Sequence, residues 1–307
     1  MEKIKIICVV GPTASGKTSL SVEIAKRLNG EIISADSMQV YKGMPIATAA
    51  ATEEEKQGVP HYLVECFESD KAFSVAEFVA LAKERALEIS SRGKLPIIAG
   101  GTGLFVDSLV NNISFSDVGV DEGLRKKLEE KSSDELYELL LSVDSDAAKN
   151  IHKNNRKRVI RALELYYGGT SKTKQNEESR NEESPFDALF IGINYKNRDL
   201  LYQRINRRVD LMVENGLVEE ARNQLEKSSA TSAQAIGHKE LAPYFQGRIT
   251  LDEAIDKIKQ ETRRYAKRQL TWLRRNEKIN WFYADEMQSD ELTDEAFQLA
   301  EKFLKEG

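Results

Sequence analysis

The sequence predicts an α/β protein: a P-loop-type parallel sheet flanked by helices, with a helical insertion domain. Three observations carry that expectation. The apolar run at 4–10 leads into Gly11-Pro12-Thr13-Ala14-Ser15-Gly16-Lys17-Thr18 and then into Leu20, Ile24 and Leu28 at helical spacing, which is strand, glycine loop, helix. Buried strand patterns then alternate with helical ones as far as Ala99. From about Ser116 strand-like runs stop, and they resume only at Ala188.

Taken in order, Glu31-Ile32-Ile33-Ser34-Ala35-Asp36 reads as a short buried strand that ends on a carboxylate. A turn-rich stretch follows to Pro45, and Thr52 before Glu53-Glu54-Glu55 marks a helix start. His61 to Glu65 reads as a third strand. Ser74 caps a helix running to about Arg92 with Val75, Phe78, Ala82, Ala86 and Ile89 on one face, and Gly93 ends it before the strand Leu95-Pro96-Ile97-Ile98-Ala99. Residues 121–168 give only amphipathic helical patterns, such as Leu124 with Leu128 and then Leu136, Leu139, Leu140 and Val143. Thr170 to Pro185 lacks any aliphatic or aromatic residue and reads as a flexible connector. Ala188 to Ile193 returns to the sheet, so the domains are expected at 1–115 plus 188–307 for the core and 116–187 for the insertion. Two helices follow: 200–214, with Leu201, Ile205, Val209 and Met212 as its stripe, and 252–276, with Ile255, Ile258, Thr262, Tyr265, Gln269 and Leu273. Ile279 to Tyr283 is a last strand and a terminal helix begins near Thr293.

Composition narrows the function. With 40% hydrophobic and 31% charged residues, no apolar run long enough for a bilayer, and a strand at the very start, the chain is expected to be cytoplasmic, with no membrane partner. Two cysteines, Cys8 and Cys66, cannot make a zinc cluster and do not suggest a disulfide framework. The net charge of −5 argues against indiscriminate coating of nucleic acid. Basic residues nevertheless concentrate at Lys153–Arg161, Lys196–Arg208 and Lys257–Lys278, which favours a polyanionic partner approached on one side. A monomer is the default expectation.

The chemistry begins at the glycine loop, whose inward amides and following helix start favour a phosphate. Lys17 supplies a full positive charge, and the Thr18 hydroxyl is placed for Mg2+. In a parallel sheet ligands collect at the carboxyl ends of the strands, so the loop, Asp36 and Gly100-Gly101-Thr102 should share one crevice. Asp36 reads either as an Asx turn or as a base for an acidified N–H, and Thr102 either as a helix cap or as a hydrogen-bond partner of that site. A small-molecule or nucleotide kinase is one reading of the loop, weakened because the strand at 95–99 ends without the carboxylate that usually secures the metal. A non-catalytic RNA-binding protein is another.

Four stretches together carry a resemblance. Residues 11–18, Ala-Asp-Ser-Met-Gln-Val-Tyr-Lys-Gly-Met at 35–44, Gly-Gly-Thr-Gly-Leu at 100–104 and Thr-Arg-Arg-Tyr-Ala-Lys-Arg-Gln-Leu-Thr-Trp-Leu-Arg at 262–274 resemble the bacterial tRNA dimethylallyltransferases, the isopentenyltransferases of tRNA. The resemblance implies transfer of a dimethylallyl group from dimethylallyl diphosphate to N6 of the adenine 3' of the anticodon, in tRNAs reading codons that begin with U. It also implies that the nucleotide-type loop, Gly11 to Thr18, serves as a diphosphate site. By the same resemblance Asp36 is the base, and Ser37, Met38 and Gln39 line the base pocket. Thr102 completes the site, and Arg204 or Arg208 steadies the leaving group. Arg125 and the run Lys157, Arg158, Val159, Ile160 and Arg161 contact the tRNA anticodon stem-loop. The chain departs from the family pattern at Ala47-Thr48-Ala49-Ala50, at Tyr62 and at His238, and it lacks the zinc finger of eukaryotic relatives.

Overall fold

The computed structural model describes residues 3–113, 115, 119, 121–181, 183–225, 227, 229 and 231–306. Six strands form one parallel sheet: β1 (Ile4–Val10), β2 (Gly30–Ser34), β3 (His61–Tyr62), β4 (Leu95–Gly100), β5 (Phe186–Asn194) and β6 (Ile279–Tyr283). Their spatial order is β3-β2-β4-β1-β5-β6, so the strand that feeds the glycine loop is central. Val10 lies level with Gly100 on one side and Gly192 on the other. Helices cover the sheet on its two faces, which is why its central strands are continuous apolar runs. On one face, Leu20 and Ile24 of the helix Lys17–Arg27 join Leu292, Ala296 and Ala300 of the terminal helix Ser289–Lys305 over Ile7, Val9, Ile97 and Ile191. On the helices Val75–Ser91 and Gly103–Val110, the rings of Phe78 and Phe105 stack with centroids 4.4 Å apart.

Where sequence and structure differ, local causes are visible. β3 has two residues rather than five because Leu63 and Glu65 take left-handed φ of 58° and 47°, which no strand accommodates. The terminal helix starts at Ser289, four residues earlier than expected, where the Gln288 amide donates to Glu291 Oε2 at 3.4 Å. Among the described residues no helix is long and apolar enough to cross a membrane.

The chain divides into two compact units, Met1–Val110 with Pro185–Gly307, and Asn111–Ser184. Ser116, the expected boundary, lies outside the described residues. The second unit is helical: Glu122–Glu129, Ser133–Val143, Ser145–Asn150, Arg156–Tyr167 and Lys172–Asn181. Leu128, Leu136, Leu140, Ala148, Val159 and Leu163 make its core. The helix Lys172–Asn181 replaces the expected flexible connector. Its start is tied down by Asp144, which accepts from the Thr173 amide (3.1 Å) and hydroxyl (2.5 Å), so an apolar face is not what orders it there.

Candidate active site

Adjacency of β2, β4 and β1 brings three strand ends together, and the backbones approach so closely that a Cβ at Gly100 would run into the Ala35 carbonyl. The Thr102 amide donates to that same carbonyl at 3.2 Å. In the glycine loop, Gly16 adopts a left-handed φ of 104° immediately before the helix Lys17–Arg27, the turn that aims the first amides of the helix at a ligand. Lys17 Nζ donates to the Pro12 carbonyl at 2.7 Å. Burial pulls the Lys17 pKa down to about 7, Arg208 pushes the same way, and Asp36 opposes them. Ser15 is 2% exposed, and its Oγ, packed beside Gly11, has no hydrogen-bond partner among the described residues.

Two cavities meet at this loop. The inner one is walled by Thr13, Ser34, Asp36, Gln39, His61 and Gly101, among others, and the outer one, about 930 Å³, by Ala14–Ser19, Ala49, Glu55, Arg204 and Arg207 among others. Lys17, Thr18 and Arg208 line both. Lys17 therefore stands between a space shared with Asp36 on one side and one lined by Arg204, Arg207 and Arg208 on the other.

Asp36 makes the Asx turn its sequence context suggests and also stands on the wall of the inner cavity. Its Oδ1 accepts from the amides of Met38 (2.9 Å) and Gln39 (3.4 Å). Gln39 lines that cavity too, held by Ser34, whose hydroxyl donates to Oε1 at 2.8 Å. Ser37 and Met38 form the turn itself and are half-buried. Thr102 stands behind the turn, its hydroxyl accepting from the Ser37 amide at 3.3 Å, so it braces the Asp36 loop instead of capping a helix with that oxygen.

The two arginines separate. The helix Arg198–Glu214 buries Leu201, Ile205 and Val209, which turns Arg204 and Arg208 toward the loop. Arg204 Nε donates to the Ala14 carbonyl at 3.0 Å and its guanidinium lies over the Tyr195 ring, so it shapes the loop. Arg208 reaches both cavities and is drawn below its ordinary pKa range by burial, with Glu55 and Asp36 opposing. Its position suits charge developing between donor and acceptor.

Sequence reasoning missed several residues of this site. His61 lines the inner cavity, with Nδ1 on the Val59 carbonyl at 2.8 Å and burial holding it below its usual range. Arg207 lines the outer one. Gln269 reaches the loop from the far end of the chain, accepting from the Thr13 amide at 2.9 Å. The signal for Gln269 was present, a buried amide in an otherwise largely apolar helical stripe.

The departures from the family pattern also find reasons. Glu220 accepts from the amides of Ile46 (2.7 Å) and Ala47 (2.9 Å) and bonds His238 Nε2 (2.8 Å), so His238 supports the segment that carries Ala49 into the outer cavity. The Tyr62 hydroxyl donates to buried Glu31 at 2.8 Å, away from the loop.

In the second unit, Arg125 and Arg161 both pair with Glu164, whose side chain is 1% exposed, at 2.7 and 3.2 Å. Lys157 and Arg158 are exposed on the same helix. Val159 and Ile160 are core residues, 0% and 6% exposed, so their side chains are not available to RNA; helical periodicity turns them inward between exposed neighbours. Of the basic segments in the first unit, Lys196 pairs with Glu286, and Lys257 and Arg264 share Glu261. Lys267, Arg268, Arg274 and Lys278 are exposed along or just beyond the long helix Leu251–Leu273.

Residues 39–276 match the family model described as IPP transferase. The chain belongs to that family. It is 47% identical to the tRNA dimethylallyltransferase of Caldanaerobacter subterraneus subsp. tengcongensis, over 98% of this chain and 99% of the relative. It is 50% identical to that of Acetivibrio thermocellus, over 93% and 94%. Among solved structures, the full-length tRNA isopentenylpyrophosphate transferase of Bacillus halodurans superimposes with a TM-score of 0.75 at 44% identity, covering 99% of this chain and 98% of that one. A eukaryotic dimethylallyltransferase acting on tRNA gives 0.85 at 29% identity, covering 98% and 80%. The parallel sheet and its flanking helices are thus those of the IPP transferases, and the kinase and non-catalytic readings give way to a transferase.

Proposed function

We propose that this IPP transferase family member moves the dimethylallyl group of dimethylallyl diphosphate to N6 of the adenine 3' of the anticodon in tRNAs reading codons that begin with U, releasing diphosphate. The observation that carries the reading is the shared inner cavity, where the Asp36 carboxylate and the cations Lys17 and Arg208 line one space. Names of relatives identical at 47–50% over nearly the whole chain support it.

The transfer breaks an allylic carbon–oxygen bond and leaves its electron pair on the diphosphate. Glycine-loop amides, Lys17 and Arg208 stand where they can receive that charge. An arriving diphosphate also counters the burial that discharges Lys17. As the new carbon–nitrogen bond forms, the N6 proton becomes acidic and Asp36 takes it; the two amides on Oδ1 fix the carboxylate and leave Oδ2 for this task. An adenine stacked in an RNA loop must swing out to enter such a cavity.

Magnesium suits these residues. Mg2+ on a diphosphate takes most of its oxygens from phosphate and water, so it needs few protein ligands, and no cluster of three or more His, Cys, Asp or Glu exists among the described residues to hold a metal by itself. Thr18, lining both cavities, would hold it, and the ion would add charge stabilisation to the leaving diphosphate.

Arg125, Lys157, Arg158 and Arg161 serve the anticodon stem-loop in this reading, with Glu164 fixing two of the guanidiniums. The enzyme is taken to act as a cytoplasmic monomer. The test is transfer of labelled dimethylallyl groups to unmodified tRNA with magnesium, using adenine and then guanine at the target position. Label in the adenine RNA alone is expected; ATP consumption without transfer would reject the assignment.

A further inference from the structure

The run Thr262 to Arg274 has no role yet in the chemistry, although it lies at the end of the helix Leu251–Leu273, which meets the glycine loop at Thr13 and the following strand-end loop at Gly101. Its inner face carries polar groups where a core would be apolar. Gln269 is 5% exposed, and its Oε1 accepts from the Thr13 amide at 2.9 Å. Its amide also fills the space at Gly101: a Cβ there would overlap Nε2 and approach the Gly11 carbonyl to 3.1 Å. One turn earlier, the Tyr265 hydroxyl interacts with Thr102 and with Gln269, and it faces the charge of Asp36. Thr102 in turn holds the Ser37 amide of the Asp36 turn. Two of the loops therefore meet side chains of one helix, and the Asp36 turn is joined to them through Thr102.

Burying a primary amide costs about 1–3 kcal/mol unless its groups are bonded, so a core position alone would favour leucine or methionine. Bonding of Thr13 to Gln269, and of the Ser15 amide to the Pro12 carbonyl at 3.3 Å, also removes two loop amides from the set that can face a ligand. The geometry points to Gln269, with Tyr265 behind it, as a positioning residue that fixes the glycine loop against the Gly101 and Asp36 loops, so that the remaining amides are aimed at the diphosphate before it arrives. This rests on the diphosphate reading of the loop but not on the transfer step. Preorganised donors are effective only while they are held; a loop free to relax loses affinity and rate together.

The experiment measures three quantities on the full chain: affinity for inorganic pyrophosphate with magnesium, affinity for an anticodon stem-loop RNA, and the thermal midpoint. Gln269→Met keeps the packing volume and removes the acceptor for the Thr13 amide together with the polar contact to Tyr265. It is expected to weaken pyrophosphate binding about tenfold while RNA affinity stays within about twofold and the midpoint within a few degrees. Tyr265→Phe, which removes only the hydroxyl behind Gln269, is expected to give the same split at about threefold. Pyrophosphate affinity of Gln269→Met within about twofold of wild type overturns the inference, as does a parallel fall in all three quantities, which marks a structural role only. Should Gln269→Met not fold, Tyr265→Phe decides by the same criterion, an unchanged pyrophosphate affinity counting against. Wild-type protein that binds pyrophosphate but transfers no prenyl group would defeat the proposed function and leave the positioning role standing.

Discussion

Replacing Asp36 separates its two roles. Asn keeps an oxygen where Oδ1 accepts from the Met38 and Gln39 amides at 2.9 and 3.4 Å, but it cannot take a proton. Ala removes both the base and the turn. Loss of a general base is worth about 10²–10⁴ in rate, roughly 3–5 kcal/mol of barrier. Loss of an acceptor for two half-buried amides is worth about 1–3 kcal/mol of stability, which lowers the midpoint of a chain this size by several degrees. Single-turnover transfer from labelled dimethylallyl diphosphate to a stem-loop RNA is the assay, beside thermal unfolding. Both variants are expected to lose about 10²–10⁴ in rate, and only Asp36→Ala to unfold earlier. An Asp36→Asn enzyme that keeps a tenth or more of wild-type rate would refute the assignment of Asp36 as base, because the turn is intact in that variant.

Arg208→Ala is expected to lower the transfer rate by about 10²–10³, whereas Arg204→Ala, which frees the Ala14 carbonyl, should act mainly through donor affinity; steady-state kinetics with varied diphosphate distinguish them. Glu31 predicts acid sensitivity: the Arg92 guanidinium, with Lys94 and Tyr62, holds its carboxyl down to about 2 against burial. Its contribution is complete above its unfolded pKa of about 4.5 and is lost as pH falls through 2, roughly 3 kcal/mol over that window. Glu31→Gln should flatten the midpoint-against-pH curve between those limits, and an unchanged slope would show that other groups govern it. Affinity for tRNA should fall more than tenfold over a few-fold rise in salt; Lys157→Ala and Arg158→Ala each reduce the slope by about one unit, while Val159→Ala leaves the slope alone and costs about 2 kcal/mol of stability.

Local pattern was enough for the sheet and its order of chemistry. Apolar runs bounded by turn residues mark the inner strands β1, β2, β4 and β5, because strands buried on both faces leave no polar alternation to misread, whereas the half-buried edge strand β3 is shorter than its run suggests. The glycine loop and Asp36 were legible for a related reason: a phosphate cradle and a strand-end carboxylate depend on backbone geometry that nearby residues impose. The helix Lys172–Asn181 was not legible because it lacks an apolar stripe: the Ser171 hydroxyl caps it locally, and Asp144, remote in sequence, ties down Thr173. Val159 and Ile160 could be assigned to core or to contact only once neighbouring helices enclosed them. The division of labour between Arg204 and Arg208, and the grip of Gln269 on Thr13 across most of the chain, were decided by tertiary packing. Sequence sets what a residue can donate, accept or bury; only the folded chain sets which partner stands within 3 Å of it.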